Sequence, residues 1–132
     1  MIEKEFTPYE LALELEQLGF NEPCLATIDQ TDFVHIEGTE YPIRGAMMYN
    51  TIKCPTYLQV FRWFREKHGL NSFVYHYGQD GVLDIIYFAY NINDNLYASD
   101  FRTYEEAEFA CLKKLIELVK TYGGNKWKHI EK

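Results

Sequence analysis

Apolar residues recur at helical spacing in three segments of the chain, and each segment is framed by a threonine at its start and a glycine at its end. The clearest segment is 55–70, in which Thr56 and Gln59 have the spacing of a capping box. The Gly-Leu pair that ends this segment is typical of a Schellman stop. We therefore expect a helix from Tyr57 to His68.

The other two helices are predicted at 8–18 and 104–122, where leucines at helical spacing mark the buried side of each helix. A threonine with a glutamate three residues later opens each helix, and glycine follows its last turn. The capping pairs are Thr7 with Glu10, and Thr103 with Glu106.

Short apolar runs separated by turn residues predict strands between the helices. The first two, 24–28 and 33–37, flank the polar residues 29–32 and form a hairpin, and an extended segment follows at 41–52. Beyond the second helix, strands are predicted at 72–78, 82–92 and 96–99.

The strand at 72–78 has a regular alternation. It places Phe73, Tyr75 and Tyr77 on one face and Val74 with His76 on the other. An Asp-Gly pair shortly after this strand is a strong signal for a tight hairpin. The next strand is apolar on both faces, which indicates a central position in a sheet.

Short loops between consecutive strands imply antiparallel pairing. We therefore predict an α+β fold, in which three helices pack on an antiparallel sheet of about five to six strands, in the order helix, strands, helix, strands, helix. This order also permits an internal duplication, although the loop sequences of the two halves differ. The length of 132 residues predicts a single domain at 1–124, with 125–132 as a frayed C-terminal tail.

Composition narrows the class of protein. An aromatic fraction of 17% favours strands and contact surfaces. The N-terminal segment has acidic residues where a secretory signal would have basic ones, and no apolar run approaches the length of about 18 residues that a membrane span needs. Three widely spaced cysteines favour reduced thiols over a disulfide framework. We therefore expect a soluble cytoplasmic protein that does not enter membranes.

Charge is distributed unevenly along the chain. A net charge of -7 argues against binding nucleic acid over the whole surface. Basic residues nevertheless cluster in 62–67 and in 113–128. These segments either pair with the acidic stretches or form one patch, so a nucleic-acid-binding accessory protein stays open as an alternative.

The helix predicted at 57–68 has an apolar arc of roughly 220°, wider than the stripe of about 100° that a surface helix needs. Such a helix is either buried on two sides or uses the flank that carries Trp63 to contact a protein partner or a second copy of the chain. The candidate partner-binding residues are Arg62, Trp63, Arg65, Glu66 and Lys67.

Few residues are candidates for catalysis. Cys54 precedes a helix N-terminus, which lowers a thiol pKa, but no motif of a cysteine enzyme flanks it. Glu108 falls on the apolar side of the last helix and needs a partner or a shifted pKa. His68 is better explained as a partly buried residue that ends its helix. Scattered histidines and the absence of phosphate-binding motifs lead us to predict no enzymatic activity, no cofactor and no metal.

Two segments carry a resemblance to a known group of proteins. PTYLQVFRWFREKHGL at 55–70 and TYEEAEFACLKKLIELVK at 103–120 resemble segments of small uncharacterised bacteriophage and prophage proteins. Those proteins carry P-T-x-x-Q-x-F-R-W-F-R-E-K and T-Y-x-E-A-x-x-A-C-L-x-K-L-I-E. The resemblance brings no biochemical activity with it. It implies a soluble accessory protein inside an infected or lysogenic bacterium, which we expect to act by binding a protein or itself.

Overall fold

The computed structural model describes residues 2–36, 51–78 and 86–123. The chain divides into two compact units, Met1–Val60 and Phe61–Lys132, and each unit has its own antiparallel sheet.

The first unit combines a helix with a three-stranded sheet. Its strands lie in the order β2-β1-β3, so that the first strand is central. The elements are a 3-10 helix (Ile2–Glu5), α1 (Tyr9–Gln17), β1 (Ala26–Asp29), β2 (Val34–Ile36) and β3 (Thr51–Lys53). A cluster of buried side chains forms the core: Phe6, Ala12, Ala26, Ile28 and Cys54.

Helix α1 begins differently from the prediction. Thr7 does not cap it, because Thr7 is buried and its hydroxyl donates a hydrogen bond to the Pro55 carbonyl at 3.1 Å. The carboxylate of Asp32, from the β1–β2 turn, accepts the Tyr9 N–H at 2.8 Å instead. A side chain distant in sequence thus satisfies the donor that the local pattern assigned to threonine. The helix ends as predicted at Gly19, which has a φ of 99°.

The predicted hairpin of β1 and β2 is confirmed by their antiparallel pairing. The buried carboxylate of Asp29 closes its turn, since it accepts the Thr31 N–H at 2.8 Å and lies 3.2 Å from Nε2 of His35. Burial opposes ionisation of Asp29, but these hydrogen bonds outweigh it and lower the Asp29 pKa. The contact between Asp29 and His35 therefore has a structural role in the turn.

Helix α2 (Tyr57–His68) contains the boundary between the two units and has the predicted bounds. The hydroxyl of Thr56 accepts the Gln59 N–H at 3.1 Å, which confirms half of the capping box. The other half is wrong, because the Gln59 amide donates to the Pro23 carbonyl at 2.8 Å rather than folding back. The stop is confirmed: Gly69 has a φ of 70°, and the Leu70 N–H bonds back into the last turn at 3.1 Å.

The second unit packs a long helix on another three-stranded sheet. The strands lie in the order β4-β5-β6, with each neighbouring pair antiparallel. The last helix contacts all three strands. After α2, the elements are β4 (Ser72–Gly78), β5 (Ile86–Ile92), β6 (Asn95–Phe101) and α3 (Tyr104–Tyr122).

The signals around α3 act nearly as predicted. The Thr103 hydroxyl accepts the Glu106 N–H at 3.1 Å, while the Glu106 carboxylate accepts the N–H of Arg102 at 3.1 Å. The tight turn between β5 and β6 uses Asn93 and Asp94, whose φ angles of 51° and 68° fit a type I′ hairpin. Within the described ranges, no helix is both long and apolar enough to cross a membrane.

The predicted single sheet of about five to six strands is wrong for the described residues, whose six strands form two sheets of three. Alternation along a strand specifies its two faces and its hairpin partner, but it does not specify which hairpins join into one sheet. A 3-10 helix that the pattern did not predict also precedes α1. The internal duplication is not supported, because the first strand is central in one sheet and the second strand in the other.

Some predictions lie outside the described residues. They are most of the extended segment at 41–52, the Asp80-Gly81 turn, the first part of the strand at 82–92 and the tail at 125–132.

Candidate functional site

The partner-binding residues predicted on α2 separate into two groups. Four charged residues of the set are exposed, whereas Trp63 is only 5% exposed. Its ring lies 5.0 Å from that of Phe64 and 4.9 Å from that of His68, centroid to centroid. Trp63 is therefore a core residue, and the predicted contact through its flank is corrected. The exposed residues are Arg62, Arg65, Glu66 and Lys67.

The thiol of Cys54 is buried rather than poised for reaction. Its Sγ donates to the Thr7 carbonyl at 3.2 Å and lies 3.9 Å from the Thr7 hydroxyl. Burial raises the pKa of Cys54 to about 12. The thiol is protonated at neutral pH, which is the opposite of the thiolate that nucleophilic catalysis needs.

The surroundings of His68 and Glu108 indicate a structural role for both residues. Burial, and then the charge of Lys67, lower the pKa of His68, which matches the predicted partly buried residue at a helix end. Glu108 is half-buried near Cys111, whose pKa its charge helps to raise. Among the residues that the structure describes, no group of three or more His, Cys, Asp or Glu side chains is placed to hold a metal ion.

A row of aromatic rings lies on one face of the second sheet. Phe73, Tyr75 and Tyr77 alternate along β4, and Tyr77 is directly opposite Tyr87 of β5. Directly paired residues of antiparallel strands share a face of the sheet. We call Phe73, Tyr75, Tyr77 and Tyr87 the aromatic face.

The rings of the aromatic face are in mutual contact. Centroids are 5.5 Å apart for Phe73 and Tyr75, 6.5 Å for Tyr75 and Tyr77, and 6.0 Å for Tyr77 and Tyr87. All three pairs are tilted, at separations within the range of about 4.5–7 Å that favours aromatic pairs. Ala89, opposite Tyr75, is fully buried, and its small side chain leaves room for the larger rings beside it.

One end of the aromatic face carries a cation and an anion. The Tyr77 hydroxyl donates to the Asp100 carboxylate and accepts the Asp100 N–H at 3.0 Å. The first of these bonds is the main reason that the pKa of Tyr77 is raised. The guanidinium of Arg102 lies 5.8 Å above the ring of Tyr87. The two charged groups that contact these rings therefore have opposite sign.

The aromatic face is partly open to solvent, because Phe73 is exposed and its three tyrosines are half-buried. Phe73 is 51% exposed, and Leu96 of β6, which shares this face through its pairing with Asn91, is 60% exposed. Helix α3 packs on the opposite face, where the rings of Phe88 and Tyr104 are 6.0 Å apart. Neighbouring exposed apolar side chains are typical of surfaces that contact other molecules.

A shallow groove of about 480 Å³ lies near the start of α3. Apolar side chains and two glutamates line it, and one of these, Glu106, already accepts the Arg102 N–H. The groove contains no nucleophile or base in a catalytic arrangement. Its lining residues are Phe101, Glu105, Glu106, Phe109 and Ala110.

The sequence pattern predicted part of the aromatic face. The alternation along 72–78 correctly placed three of the four rings on one face, but it gave them no role. Tyr87, Leu96 and Arg102 were missed, because their membership depends on the registers of β5 and β6. The signal that pointed to them was the hairpin pattern, which makes neighbouring strands share a face.

Comparisons with known proteins are negative: no family model, no curated protein and no solved structure matches this chain.

Proposed function

We propose that this protein is a non-catalytic accessory protein that binds another protein surface through its aromatic face. The observation that carries the proposal is the row of contacting rings from Phe73 to Tyr87, in which Phe73 is exposed and the three tyrosines are half-buried, with the exposed Leu96 on the same face. Tyrosine and phenylalanine are enriched at the centres of protein interfaces, where they bury large areas at low cost in side-chain entropy.

The partner that fits best is a protein surface of low net charge. In the described part of the chain, the charged groups of Asp100 and Arg102 contact the rings and have opposite sign, so together they offer no strong attraction to a polyanion. The resemblance of 55–70 and 103–120 to phage and prophage segments supports a role inside an infected or lysogenic bacterium. Cytoplasmic location and the absence of enzymatic activity belong to the same proposal.

The test is a comparative capture from bacterial lysate after nuclease treatment. The tagged full chain is compared with a Phe73→Ser, Leu96→Ser variant and with a control, Leu25→Ser, which makes the same change at a residue 68% exposed in the first unit. We expect one protein to be retained by the wild type and the control and lost with the double variant. Equal retention by all three chains, or no retained protein, contradicts the proposal.

Nucleic-acid binding is the second candidate. The observation that favours it is the exposure of Arg62, Arg65 and Lys67 on α2 and of Lys113 and Lys120 on α3. Contacts to phosphates release counterions, so the affinity for a single-stranded oligonucleotide must fall steeply with salt. Fluorescence anisotropy at increasing salt measures this directly. Absent or salt-independent binding removes this candidate.

A further inference from the structure

The outer edge of β4 carries a row of backbone groups with which no strand of the described residues pairs. Asn93 donates its N–H to the Asn71 carbonyl at 2.6 Å, just before β4 begins. Backbone groups alternate in direction along an antiparallel strand. The N–H and C=O groups of Phe73, Tyr75 and Tyr77 therefore point toward β5, and those of Val74 and His76 point outward.

Nothing in β4 protects this edge. In the described part of the chain, no strand pairs with it, because β4 is the terminal strand of its sheet. All seven residues of β4 pair with β5 in a regular register without a bulge. The strand also lacks proline, lysine and acidic residues, the devices by which proteins prevent edge pairing.

The sequence of β4 is complementary to itself. If two copies pair antiparallel with Tyr75 opposite Tyr75, Phe73 faces Tyr77 and Val74 faces His76 of the other copy. Aromatic rings then meet aromatic rings across the new pair, an arrangement that stabilises sheets. No acidic or lysine side chain is brought opposite its own copy, although each chain has a net charge of -7.

We infer that the partner at this edge is a second copy of the same chain, bound through antiparallel pairing of two β4 strands about Tyr75. The two sheets form one continuous sheet of six strands, with both aromatic faces on the same side. This inference rests on the proposed function and deepens it, because it makes the dimer the form that presents the rings.

The register makes a sharp prediction for cross-linking. In the dimer, Tyr75 of one copy lies opposite Tyr75 of the other. Both residues direct their backbone groups toward β5, so they form a non-hydrogen-bonded pair, and such pairs have a Cα separation of about 4.5 Å. A disulfide needs a Cα separation of about 4.4–6.8 Å. Two Phe73 residues instead lie about 13 Å apart, four residues along the strand.

Mild oxidation of the full chain tests this register, with Cys24→Ser as background because Cys24 is the partly exposed native thiol. We expect Tyr75→Cys to form a covalent dimer at least tenfold faster than Phe73→Cys. A mixture of Phe73→Cys with Tyr77→Cys should cross-link between the two variants. Equal rates for Tyr75→Cys and Phe73→Cys overturn the inference.

Sedimentation of the unlinked chain at increasing concentration provides the second test. His76→Pro removes an outward N–H and leaves the β4–β5 hydrogen bonds in place, so it should raise the dimer dissociation constant at least tenfold. His76→Thr keeps the N–H and should stay within twofold of the wild type. A monomeric wild type overturns the inference. If that monomer still captures a partner through the aromatic face, the proposed function stands without it.

Discussion

Cys54, Tyr90 and Cys111 are buried groups whose protons the fold retains. Burial raises the pKa of each to about 12. Cys24 differs, because it is only partly buried, although burial raises its pKa as well. The thiols thus contribute to packing, where cysteine behaves as a small apolar residue.

Thiol labelling tests this assignment. In the native chain we expect a disulfide reagent at neutral pH to modify one of the three cysteines, Cys24, more slowly than a free cysteine peptide. In denaturant all three should react rapidly. Labelling of Cys54 in the native chain at or above the peptide rate contradicts the account and restores that thiol as a candidate nucleophile.

Trp63 gives a stability prediction. Trp63→Ala removes a buried ring in contact with Phe64 and His68 and should cost about 3–5 kcal/mol of unfolding free energy. The matched control on the same helix is Leu58→Ala, at a residue 76% exposed, which should change stability by less than about 0.5 kcal/mol. Urea denaturation followed by circular dichroism measures both. A small loss of stability in Trp63→Ala would show that Trp63 is not a core residue.

At the scale of elements, the helices depend on signals within a few residues of their ends. Gly69 and Leu70 stop α2 as the sequence indicates, and Thr103 caps α3. The start of α1 was predicted to within one residue, but its cap was not, because the cap comes from Asp32, more than twenty residues away. Local sequence therefore predicts how a helix is capped when its end groups bond locally, and it misses the cap when a distant side chain takes their place.

The cap of α3 can be measured by itself. Thr103→Ala leaves the Glu106 N–H without its acceptor and should cost about 1 kcal/mol of unfolding free energy. Thr121→Ala, an exposed position in the last turn of the same helix, should change it by less than about 0.5 kcal/mol. If both changes cost the same, the hydroxyl of Thr103 is not the cap in solution.

At the scale of the molecule, the raised pKa values predict a loss of stability in alkali. Cysteine ionises in the unfolded chain above its ordinary pKa of 9.0, whereas the two buried thiols hold their protons to about 12. Their stabilising effect is complete below 9.0 and is lost as pH rises toward 12. The urea midpoint should therefore begin to fall near pH 9.0.

The control for the alkaline prediction is a Cys54→Ala, Cys111→Ala variant. In that chain the fall near pH 9.0 should be smaller, because only Cys24 among the cysteines keeps a raised pKa, and the main fall should begin near the ordinary tyrosine pKa of 10.0, because burial raises the pKa of Tyr90 to about 12. If the urea midpoint of the variant falls near pH 9.0 as much as that of the wild type, groups other than Cys54 and Cys111 cause the loss of stability.

The α+β class, the helix bounds and the alternation of β4 were accessible from the sequence, because each follows from local periodicity. The sequence did not predict the division into two sheets. It also did not predict that Tyr87, Leu96 and Arg102 lie beside the β4 rings. Both features depend on strand register, which is set by contacts distant in the chain. The wide apolar arc of α2 left both burial and contact with a partner open, and only its packing shows that Trp63 is buried.

Amide hydrogen exchange of the full chain, at low and high concentration and with any captured partner, shows directly whether the second sheet is the binding part of the molecule. We predict that exchange slows in β4, above all at the outward amides of Val74 and His76, while the inward amides of Phe73 and Tyr75 are protected throughout. Protection confined to 62–67 on α2, or unchanged exchange in β4 under every condition, would contradict the claim that the second sheet is the binding part of the molecule.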